Sequence, residues 1–455
     1  MKKLSYIVLA FLLITTACKK SDPALPDNQL AFSASTQGIS STDASIDIVL
    51  SLGRATDVTI PVTIAVTSTG VTYGTEFTTA PAATAGTISA TIPAGASSTT
   101  IKLTKTAGIF LQGNESATFE VKTAGSPVVI GATSKLVLSF SSITSTGSEL
   151  TLNGGEGGSA AINSVYVDLS ANAQTSVKRT SWDLGFYSGA DFRVILNNTS
   201  AASVVAVNKN DINAVSAADI TITDLQLGFG AGNFNIFDDV TGDLTKTAIP
   251  VVSATDADNK VYVINRVGGS GTTAAAADLE KIRVLRTATG YTLQYAKLNE
   301  TTFKTLTINK DAAYNYSFVS FDTGAIAVEP AKDRWDFTWG YSIYFTGTTP
   351  YAFSDLVFNN YLGGVQIAEV LTSTVAYDAY AEANIATTTF AAGRNTIGSN
   401  WRATTGTVGV KTDRFYVIKD AAGNVYKLKF VSFTTQDGGT RGYPKIAYAL
   451  VKKGA

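Results

Sequence analysis

The sequence predicts an all-β protein, on three observations. Apolar and polar residues alternate with a period of two, Gly, Pro and Asn recur at short spacing between the alternating runs, and Thr, Ser, Val and Ile dominate those runs. Period two places successive side chains on opposite faces of a strand, and short strands divided by turn residues are the signature of sandwiches and barrels. The pattern is plainest over residues 30–141, in Ser45-Ile46-Asp47-Ile48-Val49-Leu50 and Val58-Thr59-Ile60-Pro61-Val62-Thr63-Ile64. This stretch is expected to form a β-sandwich.

Composition bounds the chemistry. The chain has 455 residues, 45% hydrophobic and 16% charged, which describes a globular protein long enough for two or three domains. Lys and Arg number 35 against 36 Asp and Glu. With no polybasic surface in prospect, nucleic acid is not an expected partner. There is no histidine, one cysteine and one methionine. A Ser/His/Asp triad, the usual zinc ligand sets and histidine-ligated haem are therefore excluded.

Residues 1–17 read as a signal peptide, with Lys2-Lys3, an apolar run from Leu4 to Ile14, and Thr15-Thr16-Ala17 before Cys18. The run is too short for a membrane span. A small residue before the sole cysteine resembles the bacterial lipobox, which implies lipidation of Cys18; an ordinary secretory signal with an incidental cysteine is the alternative. Residues 18–29, polar and containing Pro23 and Pro26, suit a tether. The expected location is the outer membrane, lipid-anchored, on its periplasmic or cell-surface face.

Within residues 30–141, Tyr73-Gly74-Thr75-Glu76-Phe77, Ile88 to Ile92 before Pro93-Ala94-Gly95, and Asn114-Glu115-Ser116-Ala117-Thr118-Phe119-Glu120-Val121 resemble the Calx-β type of immunoglobulin-like module. Calcium-binding members cluster carboxylates, whereas Glu76, Glu115 and Glu120 are scattered, so a structural spacer is expected. Residues 142–160 are rich in Ser, Thr and Gly and read as a linker. Neither Asn153-Gly154-Gly155-Glu156-Gly157-Gly158 nor Gly228-Phe229-Gly230-Ala231-Gly232 has the context of a phosphate or dinucleotide loop; both read as turns.

The remainder divides into two similar units, residues 161–322 and 323–455. The first has Ser181-Trp182-Asp183-Leu184-Gly185-Phe186-Tyr187, then Lys260-Val261-Tyr262-Val263-Ile264 followed by Gly290-Tyr291-Thr292-Leu293-Gln294-Tyr295. The second has Arg334-Trp335-Asp336-Phe337-Thr338-Trp339-Gly340-Tyr341, then Arg414-Phe415-Tyr416-Val417-Ile418 and Val425-Tyr426-Lys427-Leu428-Lys429-Phe430. A repeated order of this length argues for two β units packed together. These motifs, with Asp420-Ala421-Ala422-Gly423-Asn424 and the closing Gly438-Gly439 to Tyr448, resemble the HmuY family of Bacteroidota lipoproteins over residues 160–453.

That resemblance implies an all-β, hand-like fold, haem or porphyrin as cofactor, no catalytic activity, and a TonB-dependent outer-membrane receptor as partner. Family members clamp iron with paired histidines or methionines. The corresponding segments, 371–394 and 400–410, contain neither. Tyrosinate is the substitute ligand to consider, from Tyr377 or Tyr380, with Arg394 or Arg402 to stabilise the phenolate. Trp335, Phe337, Trp339 and Tyr341 occupy alternate positions and would share one face of a strand, either as core or as a platform for a porphyrin or sugar ring. The intervening Asp336, Thr338 and Gly340 would then face water. Asp256-Ala257-Asp258-Asn259 and Asp238-Asp239 with Asp243 read as solvated turns. The rival to haem capture is a surface interaction or scaffold protein that holds a partner protein or a glycan.

Overall fold

In a computed structural model, residues 27–40, 43–106, 115–140, 144–155, 161–227, 234–268, 274–346 and 349–454 are described. Cys18, the signal segment and Gly228 to Gly232 lie outside them. The chain divides into two compact units, one holding residues 39–141 with the segment before 36, the other residues 36–38 and 142–455.

The first unit is a β-sandwich. One sheet has the order Val129–Ile130, Gln29–Phe32, Ser45–Leu52, Ser98–Lys105, Phe77–Ala80; the other runs Lys135–Ser139, Ser116–Ala124, Ile60–Thr69, Thr87–Ile92, Ala83–Thr84. The alternation read from the sequence is what fills its core. Ile48, Leu50 and Leu52 from one strand meet Ile60, Val62 and Ile64 from another, while Asp47 points outward. Glu76 accepts from the Thr72 N–H at 2.7 Å and Glu120 pairs with Lys122 at 2.7 Å, so these carboxylates serve local turns and surface.

The second unit contains two equivalent pairs of antiparallel sheets. One four-stranded sheet has the order Val194–Leu196, Leu184–Tyr187, Tyr316–Ser320, Gly324–Ile326; its counterpart runs Thr349–Asn359, Phe337–Thr346, Asn163–Asp168, Ala173–Lys178. Each is accompanied by a five-stranded sheet. These are Ser203–Val207, Val261–Asn265, Glu280–Arg286, Gly290–Lys297, Lys304–Asn309 and, in the same sense, Gln366–Leu371, Arg414–Lys419, Val425–Ser432, Lys445–Lys452, Gly147–Thr151. The strand equivalent to Val425–Ser432 is thus Glu280–Arg286; the Gly290–Lys297 strand that the sequence reading matched to it corresponds to Lys445–Lys452.

The repeats exchange their opening strands. Asn163–Asp168 pairs with Phe337–Thr346, and Tyr316–Ser320 pairs with Leu184–Tyr187. Gly147–Thr151 likewise closes the sheet that ends in Lys445–Lys452, and Lys304–Asn309 closes the one that holds Gly290–Lys297. In the fold the second repeat therefore opens at Lys304, earlier than residue 323.

Each Trp-Asp pair makes the same clasp. The Asp183 N–H donates to the Val319 carbonyl at 2.8 Å, and its carboxylate accepts from the Phe321 N–H at 2.7 Å. Asp336 repeats this against the Val167 carbonyl and the Leu169 N–H, both at 2.7 Å. A carboxylate at this point satisfies the amide two residues past a paired position, where the ladder ends and that N–H would be orphaned. This is the physical content of the motif.

Candidate functional site

Behind the two clasps, the equivalent four-stranded sheets face each other. Trp182 packs edge-on against Phe318 with ring centroids 4.8 Å apart, and Trp335 packs edge-on against Tyr166 at 5.0 Å. These pairs occupy equivalent positions in the two repeats and join one buried cluster with Val328. Beside them lies a cavity of about 120 Å³, also walled by Thr338, Gly340, Tyr341, Phe358, Asn359, Glu329 and Arg394. A groove of about 330 Å³ shares Tyr316, Phe318 and Glu329 with it.

The cavity wall is mostly apolar, with polar groups set into it. Trp335 Nε1, Thr338 Oγ1, Asn359 Oδ1 and Asn198 Oδ1 are buried without a hydrogen-bonding partner. Such atoms are rare in folded proteins and point to water or ligand as their complement. Burial pushes the Glu329 carboxyl up to about 8, although it accepts from the Tyr316 N–H at 2.8 Å. Burial likewise pushes Asp238 up to about 7, against hydrogen bonds from Leu196 and Ala248 and the nearby Arg394 charge. Asp238 is thus a buried carboxyl rather than the solvated loop residue its sequence context suggested, while Asp239 and Asp243 do sit in exposed turns capping Thr241 and Thr245. Asn259, in the other acidic turn, is buried and bonded to Ser253.

The residues singled out from sequence are dispersed. Tyr377 packs edge-on against Phe415 and offers its hydroxyl to the Lys427 carbonyl at 3.4 Å; burial pushes its phenol up to about 12. Tyr380 is buried, bonded to Thr388 at 2.6 Å, and its phenol is also raised by burial. Tyrosinate ligation needs a shift in the opposite direction. Arg402 sits elsewhere, donating to the Ser354 carbonyl at 3.0 Å near Asp355 and Arg441. Arg394 lines the cavity, its guanidinium 3.7 Å from the Phe358 ring.

The four alternating aromatics do not share a face. Phe337 and Trp339 are fully buried in the core beneath Tyr416 and Tyr426. Between Gly340 and Ser342 the pairing register slips, and beyond it Ile343 joins a different core. Tyr341 lines the cavity, with the Arg179 guanidinium 4.5 Å from its ring, and Trp335 belongs to the paired-aromatic cluster. Trp339 is therefore packing, and no platform forms. Of the intervening residues, Asp336 is buried, and Thr338 and Gly340 face the cavity. Sequence reasoning missed Tyr166 and Phe318, which strand exchange brings in, and Asn359, which ends the strand hairpinned to Phe337–Thr346.

The comparisons bear on the second unit. The family model described as HmuY protein matches residues 160–448, well over half of the chain. This chain belongs to the HmuY family. No curated protein matches it. Among solved structures, the apo form of the Calx CBD1 domain is similar at 8% identity over 26% of this chain and 97% of its own, with a TM-score of 0.22. The E. coli chaperone DraB is similar at 9% identity, covering 38% and 90%, TM-score 0.18. A candidate carbohydrate-binding protein from Bacteroides ovatus ATCC 8483 is similar at 11% identity, covering 94% and 99%, TM-score 0.19. Scores this low carry no argument about fold or ligand.

HmuY membership places the chain in a family of haem-binding type, and the residues can be tested against that cofactor. The chain has no histidine, its one methionine is Met1, and the two tyrosines in the ligand segments have phenols pushed upward by burial. They do not fit an iron ligand set. Among the described residues, no cluster of His, Cys, Asp and Glu could hold a metal ion, and no helix is long and apolar enough to cross a membrane.

Proposed function

We propose that this HmuY-family chain is a non-catalytic binding protein of the bacterial cell envelope, tethered through lipid on Cys18, which holds its ligand without coordinating iron. The observation that carries the reading is the cavity between the paired clasps, where four buried polar atoms lack protein partners beside a guanidinium. Family membership favours binding over catalysis. At about 120 Å³ the cavity admits a small molecule only, since pockets for drug-sized ligands run to about 300–1,000 Å³. The test is a thermal-shift screen of single-ring molecules against the chain from Lys19 onward and its Thr338→Ile variant. Binders should stabilise the first and not the second; no stabilisation of either protein would overturn the reading.

A second reading is porphyrin capture without axial ligation, followed by transfer to a TonB-dependent outer-membrane receptor. The family favours it, as does the adjoining groove of about 330 Å³ with Tyr314, Ile326 and Val328 in its wall. Saturable quenching of tryptophan fluorescence by iron-free protoporphyrin would support this reading over the first. A surface scaffold for a protein or glycan remains the reading to adopt should neither class of ligand bind.

A further inference from the structure

Arg394 stands where the cavity of about 120 Å³ meets a smaller one of about 50 Å³, which Asp238, Gly242 and Tyr361 help to wall. Among the described residues, one hydrogen bond engages its guanidinium, from Nη1 to the Val240 carbonyl at 2.9 Å. It makes no ion pair with any described carboxylate. A guanidinium offers five N–H donors in a rigid fork and keeps its charge when buried. Here most of that fork is unused.

The surrounding groups leave the positive charge in command. Each Asp238 oxygen accepts a backbone N–H, from Leu196 at 2.6 Å and from Ala248 at 3.0 Å, and the carboxyl forms no ion pair with Arg394. Glu329 is the carboxyl in the wall of the larger cavity, and its burial keeps it largely protonated at neutral pH. Tyr316 and Tyr361, also close to Arg394, are neutral phenols raised further by burial. Arg394 is half-buried, and a bidentate carboxylate is the complement its guanidinium geometry suits best.

Size and lining define the rest of the ligand. An apolar cavity of about 150 Å³ admits one benzene ring. Trp182, Trp335, Tyr166 and Phe358 supply aromatic surface around a volume close to that. We propose that the cavity binds a small monocarboxylate built on a single ring, with its carboxylate on Arg394 and its ring among Tyr166, Trp182 and Trp335. The inference rests on the reading of this cavity as the ligand site.

The experiment titrates benzoate, and benzamide as its neutral isostere, into the chain from Lys19 onward, read by calorimetry and tryptophan fluorescence. Benzoate should bind saturably and at least about tenfold more tightly than benzamide, as expected of a charge-assisted pair. Arg394→Gln should abolish that preference. Arg394→Lys, which keeps the charge and loses the fork, should weaken benzoate yet leave it ahead of benzamide, and it covers the case in which the glutamine variant does not fold. Thr338→Ile, which fills the cavity without touching Arg394, should lose both ligands. Equal binding of benzoate and benzamide to the unmodified chain would overturn the carboxylate assignment and leave the cavity as a ligand site. Binding of neither would overturn both.

Discussion

Asn197 and Asn360 perform the same task in the two repeats: each donates from Nδ2 to the carbonyl of the tryptophan that begins its clasp, Trp182 at 2.7 Å and Trp335 at 2.9 Å. The same nitrogen reaches the carbonyl three residues earlier, that of Arg179 at 2.8 Å and of Lys332 at 2.7 Å. Both asparagines are buried, and each one's own N–H donates back to the clasp aspartate carbonyl. Two side chains far apart in sequence thus fix both walls of the cavity.

Removing the Asn360 amide leaves two carbonyls without a donor; removing that of Asn197 leaves the Trp182 carbonyl without one, since the Thr199 hydroxyl also donates to the Arg179 carbonyl at 3.0 Å. Asn197→Ala and Asn360→Ala should each destabilise the second unit by at least about 1–3 kcal/mol, the cost of one buried group left unpaired. Urea unfolding followed by tryptophan fluorescence reads this directly, because all four tryptophans lie in that unit. Unchanged midpoints would show that the clasps are not structural.

The two clasp aspartates should respond differently to the same substitution. Asp183 is held by Arg266 at 2.7 Å, which also reaches Asp322 at 2.6 Å. Among the described residues Asp336 has no cation in contact, and burial together with Asp168 and Asp420 pushes its carboxyl well above the ordinary range. Asp183→Asn should cost about 1–3 kcal/mol by weakening a charged pair, whereas Asp336→Asn should cost less, because it breaks no ion pair and burial already disfavours the charge there. Equal losses in denaturant midpoint would contradict the difference.

How much of this was legible in the sequence depends on how local its cause is. The sandwich strands around Ile48 and Ile60 were legible because alternation is a local pattern that the fold merely completes. The repeat was legible through Trp182-Asp183 and Trp335-Asp336, since each clasp needs that dipeptide. The exchange was not, because Val167 meets Phe337 and Val319 meets Leu184 across long sequence separations that leave no mark on composition. The aromatic face failed at Tyr341, where a register slip that periodicity cannot show redirects the strand. Arg394 was visible as a charge, but its place beside Phe358 follows from pairing alone.

Glu329 makes stability depend on pH with a defined sign. Its carboxyl is raised from 4.5 to about 8, so the folded protein binds this proton more tightly than the unfolded chain. The stability it contributes is complete below about pH 4.5 and is lost as pH rises through about 8. Glu329→Gln retains an acceptor for the Tyr316 N–H and has no proton to lose. The variant should gain on the unmodified chain steadily between pH 5 and pH 9 in urea melts; parallel pH profiles would refute the assignment.

Trp339 is packing, and its contact with Gly154 can be tested. A Cβ at Gly154 would lie 2.1 Å from Trp339 Cζ3 and 2.3 Å from the Gly442 carbonyl oxygen. Gly154→Ala should destabilise by about 1–3 kcal/mol or more through overpacking, and Trp339→Ala by about 3–5 kcal/mol. Were Trp339 a ligand platform instead, its loss would reduce ligand binding while leaving the unfolding midpoint in place.

The central claim, that this HmuY-family chain binds its ligand without coordinating iron, is tested most directly by absorbance titration with ferric haem. The chain from Lys19 onward and its Tyr377→Phe/Tyr380→Phe double variant are compared side by side. The account predicts the same spectra for both proteins, with no band that depends on either tyrosine. A saturable haem spectrum that is lost in the double variant would contradict it and restore tyrosinate as the iron ligand.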